Sequence, residues 1–174
     1  TIGKYYPYQS SSKIVCLADY SSEFDFTTYL LFVINKKGEV IRKERFANGN
    51  YKCCGQNNYD VLDMETPYFS IQYNATGSGY CECFKYFFKE IKEQDSLDPI
   101  SLDMRSVMHE ISPEILFFKT SNYIVKDDKI HVDYEESFYR EKEDTTLLTS
   151  SSNYRIIYTL DRNKWHPSDT IQSF

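Results

Sequence analysis

Two stretches late in the chain alternate strictly between apolar and polar residues, and nothing else in the sequence limits the fold as much. In KIHVDY, Ile130, Val132 and Tyr134 fall on one side of an extended backbone and His131 and Asp133 on the other. In NYRIIYTL, Tyr154, Ile156, Tyr158 and Leu160 share a side opposite Arg155 and Thr159. Successive strand side chains point to opposite faces, so a period of two marks strands with one buried side and one wet side. That pattern belongs to antiparallel sheets.

Strand signals recur earlier, in SKIVCLADY (12–20), FTTYLLFVINKKGEVIRKERF (26–46), YFSIQYN (68–74) and GYCECF (79–84), all rich in β-branched and aromatic residues. The second breaks at NKKGE, where Asn35 and Gly38 suit a hairpin turn. Helical spacing is rarer. Phe84, Phe87, Phe88 and Ile91 stand at i, i+3, i+4 and i+7, which predicts an amphipathic helix over 83–94 stopped by Asp98-Pro99. A second short helix is predicted over 101–111, and a third from Ser168 as its N-cap. The expected fold is therefore mainly β, an antiparallel β-barrel with one or two short helices. It forms a single domain over residues 1–174, a length that buries about two-thirds of the unfolded surface without needing cross-links.

Composition narrows the partners. Sixteen Tyr, 12 Phe and 1 Trp make the chain 17% aromatic, and a ring that also carries a hydroxyl suits cavities and interfaces. The net charge of -6 argues against nucleic acid, because phosphate neutralisation needs a coherent basic face. The one basic run, from Lys36 to Arg45, is interrupted by Glu39 and Glu44 and reads as a solvated hairpin edge. No apolar run approaches the ~18 residues of a membrane-spanning helix, the longest being YLLFVI. A start at Thr1, without Met or leader, is expected of a mature product.

Of the five cysteines, Cys53 and Cys54 open one segment and Cys81 and Cys83 close it. Zinc knuckles want CxxC pairs, and a thioredoxin-like centre wants CxxC at a helix start; neither occurs, and His109, His131 and His166 are scattered singly. What remains is a disulfide joining the Cys53/Cys54 pair to the Cys81/Cys83 pair, with an odd thiol left over. Between them lies the sequon Asn74-Ala-Thr76, read as a Gly/Ser-rich turn able to carry a glycan. Both features favour a secreted or lumenal, oxidising compartment.

No reaction is written in the chain. There is no GxSxG elbow, P-loop or GxGxxG, and the carboxylates between Asp127 and Asp144 form no DxDxDG-like calcium loop. The expectation is a protein without catalytic residues, cofactor or metal.

The two chain ends resemble the lipocalin pattern. Gly3-Lys4-Tyr5 stands where lipocalins carry Gly-x-Trp on the first strand, with tyrosine in place of tryptophan, and Arg162 follows the last long strand where they place an arginine over that aromatic. The resemblance implies an eight-stranded barrel around an apolar cavity, and a structural contact between Tyr5 and Arg162. It leads to one expected function, carriage of a small hydrophobic molecule in a cavity lined by Tyr134, Tyr154, Ile156 and Tyr158. The alternative is a secreted protein-binding domain without a cavity, whose exposed tyrosines form a hot spot for another protein.

Overall fold

A computed structural model describes residues 2–8, 13–21, 26–49, 62–63, 68–77, 79–89, 98–108, 115–142, 145–168 and 172–173. Within them every regular element is a strand, and every strand pairing is antiparallel.

The first four strands, β1 (Ile2–Tyr8), β2 (Lys13–Ser21), β3 (Phe26–Asn35) and β4 (Val40–Gly49), make a four-stranded sheet in sequence order. The β3–β4 turn is held as expected by Asn35. Its side-chain oxygen accepts from the amides of Lys37 and Glu39 at 2.9 and 3.0 Å, and Gly38 supplies the positive φ of +82°. Lys36, Lys37, Arg42 and Lys43 are exposed around this hairpin, as a solvated edge requires.

The second sheet is larger. It runs β12 (Lys164–Pro167), β11 (Thr145–Asp161), β10 (Lys129–Lys142), β9 (Ile115–Lys126), β8 (Pro99–Met108), β7 (Tyr80–Phe88), β6 (Phe69–Gly77) and β5 (Leu62–Asp63), with β13 (Gln172–Ser173) paired to β11. Two-residue turns join β9 to β10 and β11 to β12 in a meander. Asp127 and Asp128 have φ of 51° and 58°, and Arg162 and Asn163 have 47° and 70°. Positive φ at both central residues is the type I′ geometry whose twist matches paired strands.

Between β8 and β9 the ladder is short. Only Met104–Met108 pair with Ile115–Lys119, so half of β8 and more than half of β9 have left this ladder. Beyond this junction the two arms of the sheet fold face to face. Phe87, Ile100 and Leu102 from one arm meet Ile130, Val132, Tyr134 and Trp165 from the other, with Tyr123, Val125, Ile156 and Leu160 packed around them. Ile130 and Val132 are fully buried. The alternation read from the sequence therefore divides core from solvent correctly.

Trp165 fastens the fold-over. Its ring meets Tyr68 and Phe87 edge-on at centroid distances of 5.0 and 6.2 Å, and its indole N–H donates to the Phe87 carbonyl at 3.1 Å. The Tyr68 hydroxyl adds a tie by donating to the Asp128 carbonyl at 2.7 Å.

Three expectations are corrected here. Neither sheet closes into a barrel among the described residues: the larger one ends at β12 and β5, and β7, which β12 approaches, already has β6 and β8 on its two edges. Residues 83–88 belong to a strand, not a helix. Both faces of β7 are covered, so its phenylalanines follow no period of two and imitate helical spacing. Residues 101–108 are likewise strand β8, while 90–97 and 109–111 lie outside the described residues. Of the third helix, Ser168 is described, with its amide donating to the Ile157 carbonyl at 2.8 Å; 169–171 are outside.

Arg162 sits in the β11–β12 turn, and β1 is hydrogen-bonded to β2 alone among the described strands, so the ladders do not set the first and last strands side by side. At a left-handed turn position an arginine costs roughly 1–2 kcal/mol relative to glycine. Arg162→Gly should raise unfolding stability by about 0.5–1 kcal/mol in urea titration. A loss of stability would instead place the guanidinium in a structural contact. Trp165→Phe should cost about 1–2 kcal/mol in the same assay, since the indole donor is lost while most of the ring stays.

Candidate binding face

The meander β9–β10–β11 carries the residues singled out from the sequence, and register assigns them to faces. Tyr134 pairs with Ser121 on one side and Tyr154 on the other; Val132 pairs with Tyr123 and Ile156. Tyr134, Tyr154, Ile156 and Tyr158 thus come together on the inner face, as expected, and there they fill space. The Tyr134 and Tyr154 rings stack at 5.1 Å with 28° between planes, and Ile156 packs on the central cluster.

Their hydroxyls are all engaged. Tyr134 donates to the Ser101 carbonyl at 2.7 Å, which uses its one proton, so Tyr158 is the donor in the 3.1 Å contact between the two hydroxyls. Tyr154 donates to Glu136 Oε1 at 2.5 Å. Burial raises the pKa of all three phenols above the ordinary value, most for Tyr134, so none ionises near neutral pH.

Beside them lies a polar seam that the sequence did not announce. Glu82, Lys85 and Asp103 are at most 6% exposed. Glu82 accepts from the hydroxyls of Tyr80 and Ser101, while Lys119 Nζ donates to Ser101 Oγ at 2.6 Å and lies 5.5 Å from the Tyr134 ring centre. Lys85 donates to the Tyr123 hydroxyl at 2.5 Å. Asp103 accepts from the Ser121 amide at 2.8 Å and from its hydroxyl at 3.3 Å. Among the described residues no buried side-chain polar atom lacks a partner.

The outer face is different in kind. Asn122–Asp133–Arg155 and Thr120–Glu135–Asn153 form two polar rows across three strands, lining an open concavity of about 330 Å³. Arg155 grips Asp133 through two bonds, Nε to Oδ1 at 2.5 Å and the second guanidinium nitrogen to Oδ2 at 2.7 Å. Apolar rows border the polar ones. Ile124, His131 and Ile157 lie on one side, with Ile124 56% exposed. On the other, Phe118 meets Tyr139 edge-on at 5.6 Å, with the Arg105 guanidinium 5.7 Å from the Phe118 ring centre. A second concavity, of about 280 Å³, lies at the β6–β7 turn between Gly77, Gly79, Tyr80, Cys81, Arg105 and Val107. No group of three or more His, Cys, Asp or Glu able to hold a metal occurs among the described residues.

Cys81 and Cys83 lie buried on β7, where register sets Cys83 opposite Asn74. The sequon is thus in strand β6, close to its turn, rather than in the turn itself. Cys53 and Cys54 are outside the described residues, as are the side chains of Tyr5 and Asn74.

No protein-family model, no curated protein and no solved structure matches this chain.

Three titrations follow from these positions. Hydrogen bonds from Arg155 hold the Asp133 carboxyl below its ordinary 3.8, so its stabilisation is present above that value and is lost as pH falls through the lower folded pKa. Burial raises Asp103, offset in part by Ser121 and Lys119, so its contribution is complete below 3.8 and is lost as pH rises through the folded pKa. Asp103→Asn, which keeps the acceptor for Ser121, should therefore exceed the native chain in stability at neutral pH, and the difference should close on acidification below 3.8. Burial lowers the pKa of His131, and Arg155 and Lys126 lower it further. The His131 ring should titrate below 6.5 by nuclear magnetic resonance, and Arg155→Ala should move its midpoint upward.

Proposed function

We propose that this chain is an extracytoplasmic β domain that binds another protein through the outer face of β9–β10–β11. The observation that carries the reading is the allocation of side chains on the meander. Tyr134, Tyr154, Ile156 and Tyr158 pack together on the inner face with every hydroxyl engaged, and Tyr134 also borders the outer concavity. The solvent side carries a polar centre flanked by Ile124, Ile157, Phe118 and Tyr139. Protein-binding surfaces concentrate their energy in aromatic and arginine side chains, and Phe118, Tyr139, Arg105 and Arg155 supply both kinds on one face. Carriage of a small hydrophobic molecule has less support, because the concavity over Asp133 and Arg155 is open to solvent and its lining mixes polar and apolar surface.

Cysteine chemistry supports the compartment. Cys83 keeps a buried thiol, which leaves Cys81 as the member of its pair to be bridged. A bond to Cys53 or Cys54 fits the sequence, and it would close a loop of about 30 residues, stabilising the fold by roughly 3–4 kcal/mol on the chain-entropy account. Disulfides persist in oxidising compartments.

Binding of the purified chain to an arrayed panel of extracellular proteins tests the reading. A saturable partner should be found, and Ile124→Asp together with Phe118→Ala should abolish its binding while the circular dichroism spectrum is retained. Saturable one-to-one uptake of an apolar fluorophore, displaced by fatty acids and unaffected by those two substitutions, would return the carrier function.

A further inference from the structure

On the outer face of the meander Thr120, Asn122, Glu135 and Asn153 are exposed, and no hydrogen bond or ion pair with another described residue engages their side chains. They surround the Asp133–Arg155 pair, whose two bonds fix both of its members. Neighbouring strands lie about 5 Å apart and alternate residues of one strand about 7 Å apart, so the six side chains frame a patch of about 7 by 10 Å. The concavity over them, of about 330 Å³, stands at the small end of the ~300–1,000 Å³ usual for ligand sites.

Charge and hydrogen bonding choose among occupants. An anion meets the Glu135 carboxylate, while the guanidinium it needs is already held by Asp133. A divalent metal finds no group of three or more His, Cys, Asp or Glu among the described residues. An amine pairs with Glu135 but, in covering the patch, takes Thr120, Asn122 and Asn153 from water without replacing their hydrogen bonds. A purely apolar molecule does the same to every group there. A neutral molecule with several hydroxyls meets the whole patch, because each hydroxyl both donates and accepts. Its hydroxyls donate to Glu135 and to the remaining lone pairs of Asp133, and they accept from the side-chain amides of Asn122 and Asn153. Bonds to an ionised carboxylate are the stronger kind, and Arg155 has already fixed Asp133, so little side-chain freedom is lost there on binding. The lining mixes polar and apolar surface, and so does a sugar ring, with hydroxyls around its rim and C–H groups on its faces.

We propose that this concavity binds one neutral pyranose ring of a glycan carried by the protein partner. Glu135 and Asp133 accept from its hydroxyls, and Asn122 and Asn153 donate to them. The proposal rests on the reading that the outer face binds another protein, and it adds the chemistry at the centre of that face: the partner is a glycoprotein.

Titration of the isotope-labelled full chain with the methyl glycosides of mannose, galactose, glucose and N-acetylglucosamine, followed by nuclear magnetic resonance, reads the patch directly through the side-chain amide signals of Asn122 and Asn153. At least one glycoside should shift these signals saturably, with a dissociation constant in the millimolar range. Glu135→Ala combined with Asn153→Ala, both at exposed positions, should weaken binding by about tenfold or more, the loss expected of two hydrogen bonds, with the rest of the amide spectrum unchanged. Glucuronic acid and sialic acid, which place a negative charge on the same kind of ring, should bind about tenfold more weakly than the neutral glycoside, because Glu135 repels them. Absence of a saturable shift with every glycoside, binding that survives the two alanines, or tighter binding of the charged sugars would each overturn the proposal. A protein partner bound by a chain that answers to no sugar overturns this proposal alone and leaves the protein-binding reading standing.

Discussion

The short ladder between β8 and β9 is the constraint on which the larger sheet depends. Five residue pairs hold the two strands together, and past Met104 and Lys119 they separate. At the point of separation the Asp103 carboxylate takes the Ser121 amide, doing for one step what a strand carbonyl would have done. That substitution lets the sheet turn on itself without leaving a buried N–H unpaired, an omission that costs about 1–3 kcal/mol. Because the sheet turns, Phe87 and Ile100 face Val132 and Trp165, and a single sheet supplies both walls of its own core. An unbent sheet of this composition would leave those residues in water.

The same bend explains why charged groups lie inside. Where two arms of one sheet diverge, their backbones no longer satisfy one another, and side chains take over. Glu82, Ser101, Lys119, Asp103 and Ser121 lie in that wedge, each with a partner. A fully bonded network of this sort favours one arrangement of the arms, since any slip strands a buried charge. The wedge is thus a device for specificity as much as for stability.

How legible this was follows from which face each strand buries. β10 and β11 bury one side only, so their residues alternate and their faces could be assigned from spacing alone. β7 is covered on both sides. Its apolar residues then need no period, and Phe84, Phe87 and Phe88 fell by chance at helical intervals. The NKKGE turn was readable because Asn35 and Gly38 have conformational reasons to be there. KDDK and DRNK were less so, since Arg162 is an uncommon resident of a left-handed turn position. The Asp133–Arg155 pair needed the register of the β10–β11 hairpin, and register depends on turns that the sequence marked weakly. Buried Lys85 and Glu82 gave no signal, because a charged residue announces burial only through partners that lie far away in the chain.

The two-residue turns of the meander also bear on the order in which the molecule assembles. β9 to β12 touch mostly across short chain separations, whereas Tyr68 reaches Asp128 across 60 residues and Trp165 reaches Phe87 across 78. Closing a loop costs entropy that grows with its length, and local hairpins form in about 1–10 μs, well ahead of distant pairings. The C-terminal meander is therefore the early scaffold, presenting a bare apolar wall until β6–β8 arrive. During synthesis the order is inverted, for β6–β8 leave the ribosome before the wall they need exists. Their phenylalanines must wait for the last third of the chain.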